Sequence, residues 1–495
     1  MKSINLIKNI FNFKIDRDKE PFFTSLNVLE YLKKTENDED LNEINKGLSE
    51  IFNIPINVIS DDLKKSFLSK FNFTDGKFNQ KIKYKRSLID LGILLFFIIW
   101  YKIFSKKLYV ENNKDIFFDE LDNIDHLKYC RKLNENFKNN SIFLIKKFNY
   151  KKQNKKFKII TFRKFCIYNS NTLKNNFFKF CKIIFQIYLK SKKNRINLFV
   201  IYNYLIFRIF KYDKIFSQNK AKYYFSYKFY NTSSIKNFIF KKKGGLKISY
   251  FQKNLAELSI SFLIKTDILF SLGMGTSENL KLLGSEIKEI VPVGSLILET
   301  NIDNLNHKKK EEIDILNIGI NWAHRNHTSN LDNKIDDNYY EHIRWLKKIS
   351  IKFPNLKIFI KHHSNYRGDS KEIEILKGTK IKLISSDKIK NTYQYLSNSK
   401  IITSFGSTMI LESRSLNKNS FFLDPDGMNQ SYFKLLKNDK DLRITSYEQF
   451  ENVIEEKFEK LIDMTVGSNR KFNKDDFCLE SSIVSERIYN YLISN

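Results

Sequence analysis

Proline is scarce in this 495-residue chain: there are 5, beside 15 glycines, 4 cysteines and 3 tryptophans. So few prolines exclude collagen-like and proline-rich architectures. Cys130, Cys166, Cys181 and Cys478 lie far apart, so neither a disulfide framework nor a cysteine metal site has its usual spacing. Reduced thiols in a cytosolic compartment are the expectation. Residues 1–8 hold no uninterrupted apolar core of signal-peptide length. Long apolar runs are missing too. The best one, Leu91–Phe104, has a clean apolar part of about 11 residues against the ~20 that a spanning helix needs. Two readings of it stay open, a buried helix and a helix lying in a membrane interface. Lys81, Lys83, Lys85 and Arg86 before it, Lys106 and Lys107 after it, and Trp100 and Tyr101 near its end suit the second.

Acids are missing from one segment. Ser141 to Lys243 holds 26 Lys plus Arg and one acid, Asp213, and so carries +25 of the net +31. Codon bias raises lysine everywhere, but it does not strip acids from one stretch. A field this one-sided attracts an anionic polymer or an anionic membrane surface. What is abundant is apolar and aromatic surface: 42% hydrophobic residues, with 45 Phe and 25 Tyr. That is enough for sizeable cores and excludes a disordered chain. The length suits two large domains or two to four smaller ones.

Residues 1–86 are mixed and charged, with helical patterns at Ser25–Lys34 and Asp40–Phe52. In the basic segment, Phe157–Phe162 and Asn197–Ile201 pattern as strands and Asn176–Lys190 as a basic amphipathic helix. Further on, Ile235–Lys242 reads as a helix stopped by Gly244-Gly245. Strands Lys247–Phe251, Asp267–Leu272 and Ile287–Val293 follow, with a helix at Ala256–Ile264. The polar stretch Asn301–Glu312 marks a domain boundary. Beyond it, strands at Ile313–Ile320, Leu356–Lys361, Ile381–Ile384, Lys400–Thr403 and Ser420–Leu423 alternate with helices at Asp336–Lys352, Lys371–Leu376, Lys390–Ser397 and Ser407–Leu416. That alternation predicts a parallel, doubly wound sheet, which binds ligands at the carboxyl ends of its strands. A last helix is expected at Ser482–Ile493.

Three polar clusters sit at such strand ends. Ser404, Gly406, Ser407 and Thr408 form a small, hydroxyl-rich turn entering a helix, where backbone N–H groups can meet a phosphate. Glu412 follows one helical turn after Thr408 and can reach a ribose hydroxyl. Lys361-His362-His363 supplies a side chain able to donate to phosphate or protonate a leaving group, and alternation does not decide which histidine faces the ligand. Arg325, in a donor-rich loop after the first C-terminal strand, can pair with phosphate oxygens. Asp424-Pro425-Asp426-Gly427 reads as a turn, and no metal is expected.

Taken in order, these pieces resemble the GT-B glycosyltransferases of bacterial surface polysaccharides and the related CDP-glycerol glycerophosphotransferases, over roughly residues 236–465. Thr403–Glu412 followed by Asn419–Pro425 resembles that superfamily's donor site, and Val291–Ser295 the end of its N-terminal domain. The resemblance implies an α/β fold of two Rossmann-like doubly wound domains facing across a cleft, the N-terminal one basic and aromatic-rich. Residues 1–300 would form the acceptor-side domain, 301–475 the donor-binding domain, and 476–495 a helix returning to the first. It implies donor phosphate on Ser407 and Thr408 and ribose on Glu412. His362 or His363 would match the His-Pro element of some CMP-sugar transferases, although Ser364 replaces the proline. The expected partners are a nucleotide-activated sugar, a glycan or lipid-linked acceptor and the inner, anionic face of the cell membrane, with no cofactor and no nucleic acid. Residues 1–235 match no family, so a general base there carries no name. Transfer of glycerol phosphate, a non-catalytic nucleic-acid binder and a GT-B-shaped epimerase are the other readings.

Overall fold

The computed structural model describes residues 38–68, 71–72, 77–78, 87–104, 112–121, 124–145, 158–161, 175–194, 197–229, 232–252, 264–277, 279–282, 285–302, 312–319, 332–362, 370–384, 390–425, 442–461 and 478–494. Short apolar runs build two parallel sheets. The first has strands β1 (Asn112–Leu121), β2 (Ser141–Ile145), β3 (Lys158–Thr161), β4 (Asn219–Ser226), β5 (Lys247–Phe251), β6 (Lys265–Ser271) and β7 (Glu286–Pro292), in the spatial order β3-β2-β1-β4-β5-β6-β7. The second has β8 (Ile313–Ile318), β9 (Ile358–Lys361), β10 (Lys382–Ile384), β11 (Ser399–Ser404), β12 (Asn419–Leu423) and β13 (Arg443–Ile444), ordered β10-β9-β8-β11-β12-β13. Each sheet starts in the middle, runs to one edge, and resumes on the far side of its first strand. The winding therefore reverses between β1 and β4, and again between β8 and β11, where a parallel sheet opens a crevice at its carboxyl edge.

Helices α1 (Glu39–Phe52), α2 (Ile56–Leu68), α3 (Ser87–Phe104), α4 (Ile124–Tyr129), α5 (Arg131–Asn136), α6 (Phe177–Asn194), α7 (Phe199–Gln218), α8 (Ser234–Lys242), α9 (Asn279–Leu282) and α10 (Leu296–Ile302) accompany the first sheet. The second carries α11 (Asp332–Lys352), α12 (Ser370–Leu376), α13 (Lys390–Ser397), α14 (Met409–Ser415) and α15 (Tyr447–Leu461), and α16 (Val484–Ser494) comes last. The expected helices at Ser25–Lys34 and Ala256–Ile264 lie outside the described residues. Asn197–Ile201, expected as a strand, is instead the entry to α7. Its apolar residues continue as buried Tyr202, Leu205, Ile206 and Ile209, a helical spacing that five residues alone cannot reveal.

The first sheet packs one face on α1, α2, α6, α7 and α8. Asp38 starts α1 by accepting from the Leu41 N–H at 2.9 Å, as an N-cap should. Buried Leu41, Ile44, Leu48 and Ile51 then face Phe180, Ile183, Ile184 and Ile187 of α6. The two helices approach so closely at Gly47 that a Cβ there would sit 2.6 Å from Ile183 Cδ1. Buried charge ties α2, α7 and α8 together: Asp62 accepts from Arg208 at 2.5 Å, from Ser233 Oγ at 2.8 Å and from the Ile235 N–H at 2.6 Å. Part of the basic excess is met by acids from earlier in the chain. Lys190 and Lys193 lie 2.6 and 3.1 Å from Asp40, and Lys190 lies 2.9 Å from Glu43. Lys236, fully buried, pairs with Asp119, which also accepts from Tyr224.

A second core runs between the two sheets. It joins Phe118, Phe143, Phe225 and Phe270 of the first to Leu316, Ile402 and Phe422 of the second, through α10, α14 and α16. The last helix lies against the first domain: Phe137, just past α5, meets Tyr489 edge-on at 4.9 Å, and Phe270 meets Tyr491 at 5.8 Å. Its start is fixed by buried Glu299, which accepts from the Ser485 N–H at 3.0 Å and Ser485 Oγ at 2.5 Å.

Candidate nucleotide-binding cleft

The chain reaches the reversal point of the second sheet three times: after β8 at Gly319, after β9 at His362, and after β11 at Ser404. Gly319 is required by a close approach, because a Cβ there would lie 2.4 Å from His362 Nδ1 and 3.2 Å from its Cα. His362 is buried, with Nε2 2.9 Å from Glu372 Oε1 of α12. The contact becomes an ion pair when the ring holds two protons. Tyr339 OH donates to the other Glu372 oxygen at 3.3 Å.

Behind this point a second histidine is held neutral. His342 Nδ1 lies 2.5 Å from the Tyr339 carbonyl, which can only accept, so Nδ1 carries the proton. Nε2 is then left to accept from Asn317 Nδ2 at 3.4 Å, and Asn317 Oδ1 accepts from Thr403 Oγ1 at 3.1 Å. Burial pushes the His342 pKa down to about 3, the Tyr339 carbonyl opposes this, and His362 adds to it. Phe405 stacks on the His342 ring with centroids 5.5 Å apart. The apolar side of the bend is thus anchored inward by Phe405.

Ser404 shapes that bend. Its hydroxyl donates to the Ile318 carbonyl at 2.7 Å and accepts from the Gly406 and Ser407 N–H groups at 3.2 and 3.1 Å. Two of the N–H groups expected to meet a phosphate are therefore taken up locally, because a serine at the strand end reaches back to its own turn. Ser407 and Thr408 are half-buried. Ser407 Oγ accepts from the Met409 N–H at 3.3 Å, leaving its proton to donate outward. The Thr408 hydroxyl makes no capping hydrogen bond. These two hydroxyls are the donors the bend offers an anion.

Glu412 lies one turn further on, buried, with both carboxylate oxygens engaged. Ser295 Oγ donates to one at 2.5 Å and Tyr393 OH to the other at 2.8 Å. Ser295 follows β7, so this carboxylate joins the two sheets. A ribose hydroxyl would reach it by joining or displacing one of those donors. Arg325 and His363 lie outside the described residues, as does Asp426. Asp424 is buried at the end of β12, 3.9 Å from Arg443.

The first sheet presents its own reversal point to this place. Tyr227, just past β4, stacks on Tyr129 at 5.4 Å and lies 5.0 Å from the His126 ring of α4. Burial and Glu412 raise the Tyr393 pKa well above the ordinary phenol range, and Tyr129 and Tyr227 are near enough to add to it. The carboxyl edges of two doubly wound sheets thus meet across one seam. This is the GT-B architecture. His126 is the one histidine of residues 1–300, and sequence reading passed over it because no strand end was visible before it. Among the described residues, no group of three or more His, Cys, Asp or Glu side chains is placed to hold a metal ion.

No family model matches the chain, and no curated protein matches it. Among solved structures, UDP-GlcNAc 2-epimerase from Methanocaldococcus jannaschii aligns at 13% identity and TM-score 0.44, over 77% of this chain and 99% of that one. The Neisseria meningitidis UDP-GlcNAc 2-epimerase bound to UDP-GlcNAc aligns at 12% and 0.45, over 77% and 100%. The wall teichoic acid polymerase TagF aligns at 12% and 0.45, over 83% and 96%. The strand orders of the two sheets by themselves carry the architecture.

Proposed function

We propose that this GT-B chain is a glycosyltransferase that moves a sugar from a nucleotide-activated donor to a surface-glycan acceptor at the inner face of the cell membrane. The observation that carries the reading is the Ser404–Thr408 bend at the reversal point of the second sheet, one helical turn before Glu412, which Ser295 ties to the first domain. In this reading the donor diphosphate lies on the Ser407 and Thr408 hydroxyls, with Arg325 and His363 as further partners. Its ribose reaches Glu412. The acceptor enters from the side of His126 and Tyr227. Its hydroxyl oxygen bonds to the anomeric carbon as the bond from that carbon to the donor phosphate breaks. The acceptor proton passes to His126, and charge growing on the phosphate is met by donors already in place. Transfer of glycerol phosphate would use the same bend with a different donor.

Ligand-induced thermal shifts with UDP, GDP, CDP and CMP test the reading, since a ligand bound only to the folded state raises its stability. One nucleotide should raise the unfolding temperature, and Thr408→Ala and His363→Ala should each clearly lower that rise. No response to any nucleotide, or an undiminished response in both variants, would refute the site. Conversion of a nucleotide sugar without an acceptor would make the enzyme an epimerase.

A further inference from the structure

Exposed apolar side chains concentrate on neighbouring helices of the first domain. On α3, Leu88, Ile89, Ile93, Leu95 and Phe96 are between 37% and 62% exposed, whereas Leu94 is buried in the core. Gly92 adds to that open face, as a Cβ there would meet nothing within 4 Å. Helix α3 packs on α6 and α7. On α6, Phe178, Phe185 and Leu189 are 86%, 57% and 45% exposed, and Lys179 and Lys182 between them and Lys192 just beyond are exposed as well. Helix α6 contains no acid. The acid of α3, Asp90, is occupied in accepting from Asn197 Nδ2 at 2.7 Å.

We infer that α3 and the outer face of α6 form a docking surface for an anionic lipid bilayer, with α3 lying in the interface. Three observations favour this occupant. No helix among the described residues is long and apolar enough to cross a membrane, yet α3 exposes a broad apolar face, and apolar residues flanked by lysines suit the boundary between acyl chains and anionic headgroups. A second copy docked by two-fold symmetry would set α6 lysines against their own kind. Single-stranded nucleic acid stacks on aromatic platforms, and four of the five exposed apolar residues of α3 are aliphatic. The inference is independent of the donor nucleotide, because it concerns where the enzyme sits.

Co-sedimentation of the 495-residue chain with vesicles of phosphatidylglycerol and phosphatidylcholine, and with phosphatidylcholine alone, tests it. The unmodified chain should bind the mixed vesicles far better. The I89D/F96D variant should bind them at least about tenfold more weakly. The K182E/K192E variant should lose most of its preference for the anionic vesicles. Thermal unfolding checks that I89D/F96D folds, and F185D/L189D provides a second disruption should it not. Unaltered binding in the folded aspartate variants overturns the inference. So does failure of the unmodified chain to bind mixed vesicles, or a dimer of the unmodified chain that I89D/F96D splits into monomers.

Discussion

Ser295 donates its hydroxyl to Glu412 Oε1 at 2.5 Å, from the end of the first sheet to the helix that follows β11 of the second. The same hydroxyl accepts from the Leu298 N–H at 3.2 Å and so starts α10. One serine thus fixes both the entry to a helix and the seam between domains. Replacing Glu412 with Ala removes the acceptor for Ser295 and for Tyr393 together. Leaving buried donors unmet should cost about 3 kcal/mol of unfolding free energy, read from urea denaturation. Ser295→Ala, which leaves Tyr393 in place, should cost about half as much.

Gly319→Ala should displace the His362 ring, because the new methyl would fall within 2.4 Å of Nδ1. Overpacking of this kind costs about 1–3 kcal/mol. Calorimetry should also show weaker nucleotide binding, since His362 and the bend both lie at the carboxyl edge of the second sheet. A Gly319→Ala protein with unchanged stability and affinity would mean that the ring gives way freely.

Ser404 and Thr408 should separate structure from binding. Ser404→Ala frees two N–H groups and removes a partner of the Ile318 carbonyl, a loss of about 1–3 kcal/mol. Thr408→Ala, at a half-buried residue without a capping bond, should stay within about 0.5 kcal/mol of the parent. Its nucleotide affinity should nevertheless fall by about tenfold, the worth of one hydrogen bond to a charged phosphate. Equal effects of both changes on stability would contradict this division of labour.

His342 should make the second domain sensitive to acid. Its folded pKa is pushed down to about 3, while an exposed histidine protonates near pH 6.5. Between these values the unfolded chain binds more protons, so stability rises with pH across the window and is lost as pH falls through it. From about pH 7 to about pH 5 the His342 share is roughly 2 kcal/mol. His342→Gln should shrink the difference between the urea-derived unfolding free energies at the two pH values by that amount.

The second sheet was largely legible because its strands are short apolar runs closed by polar turns. All five expected strands are present, and only the two-residue β13 was unannounced. The first sheet was harder. β1 reads NNKDIFFDEL, with charges inside the strand, and the aromatic, lysine-rich stretch around β4 shows neither alternation nor a clean apolar run. β1 and β4 therefore went unseen, and His126 beyond β1 with them; β2, the short apolar run SIFLI, was legible and was passed over. Glu412 was placed on the right helix, yet its partners could not be foreseen. Ser295 is 117 residues away, and no local pattern encodes a contact made only when two domains meet. The role of Ser404 in closing its own bend was open to inspection, since a hydroxyl two and three residues before an N–H is a common turn former.

The capping of α16 by Glu299 gives the molecule a second tie. The backbone passes from one lobe to the other after α10 and comes home again ahead of Ser485, and Leu479 and Arg487 stitch that homeward strand to Leu272 and Val293. Two crossings bind the lobes more firmly than one would: sliding or twisting one against the other would tear the buried Glu299–Ser485 and Ser295–Glu412 bonds together.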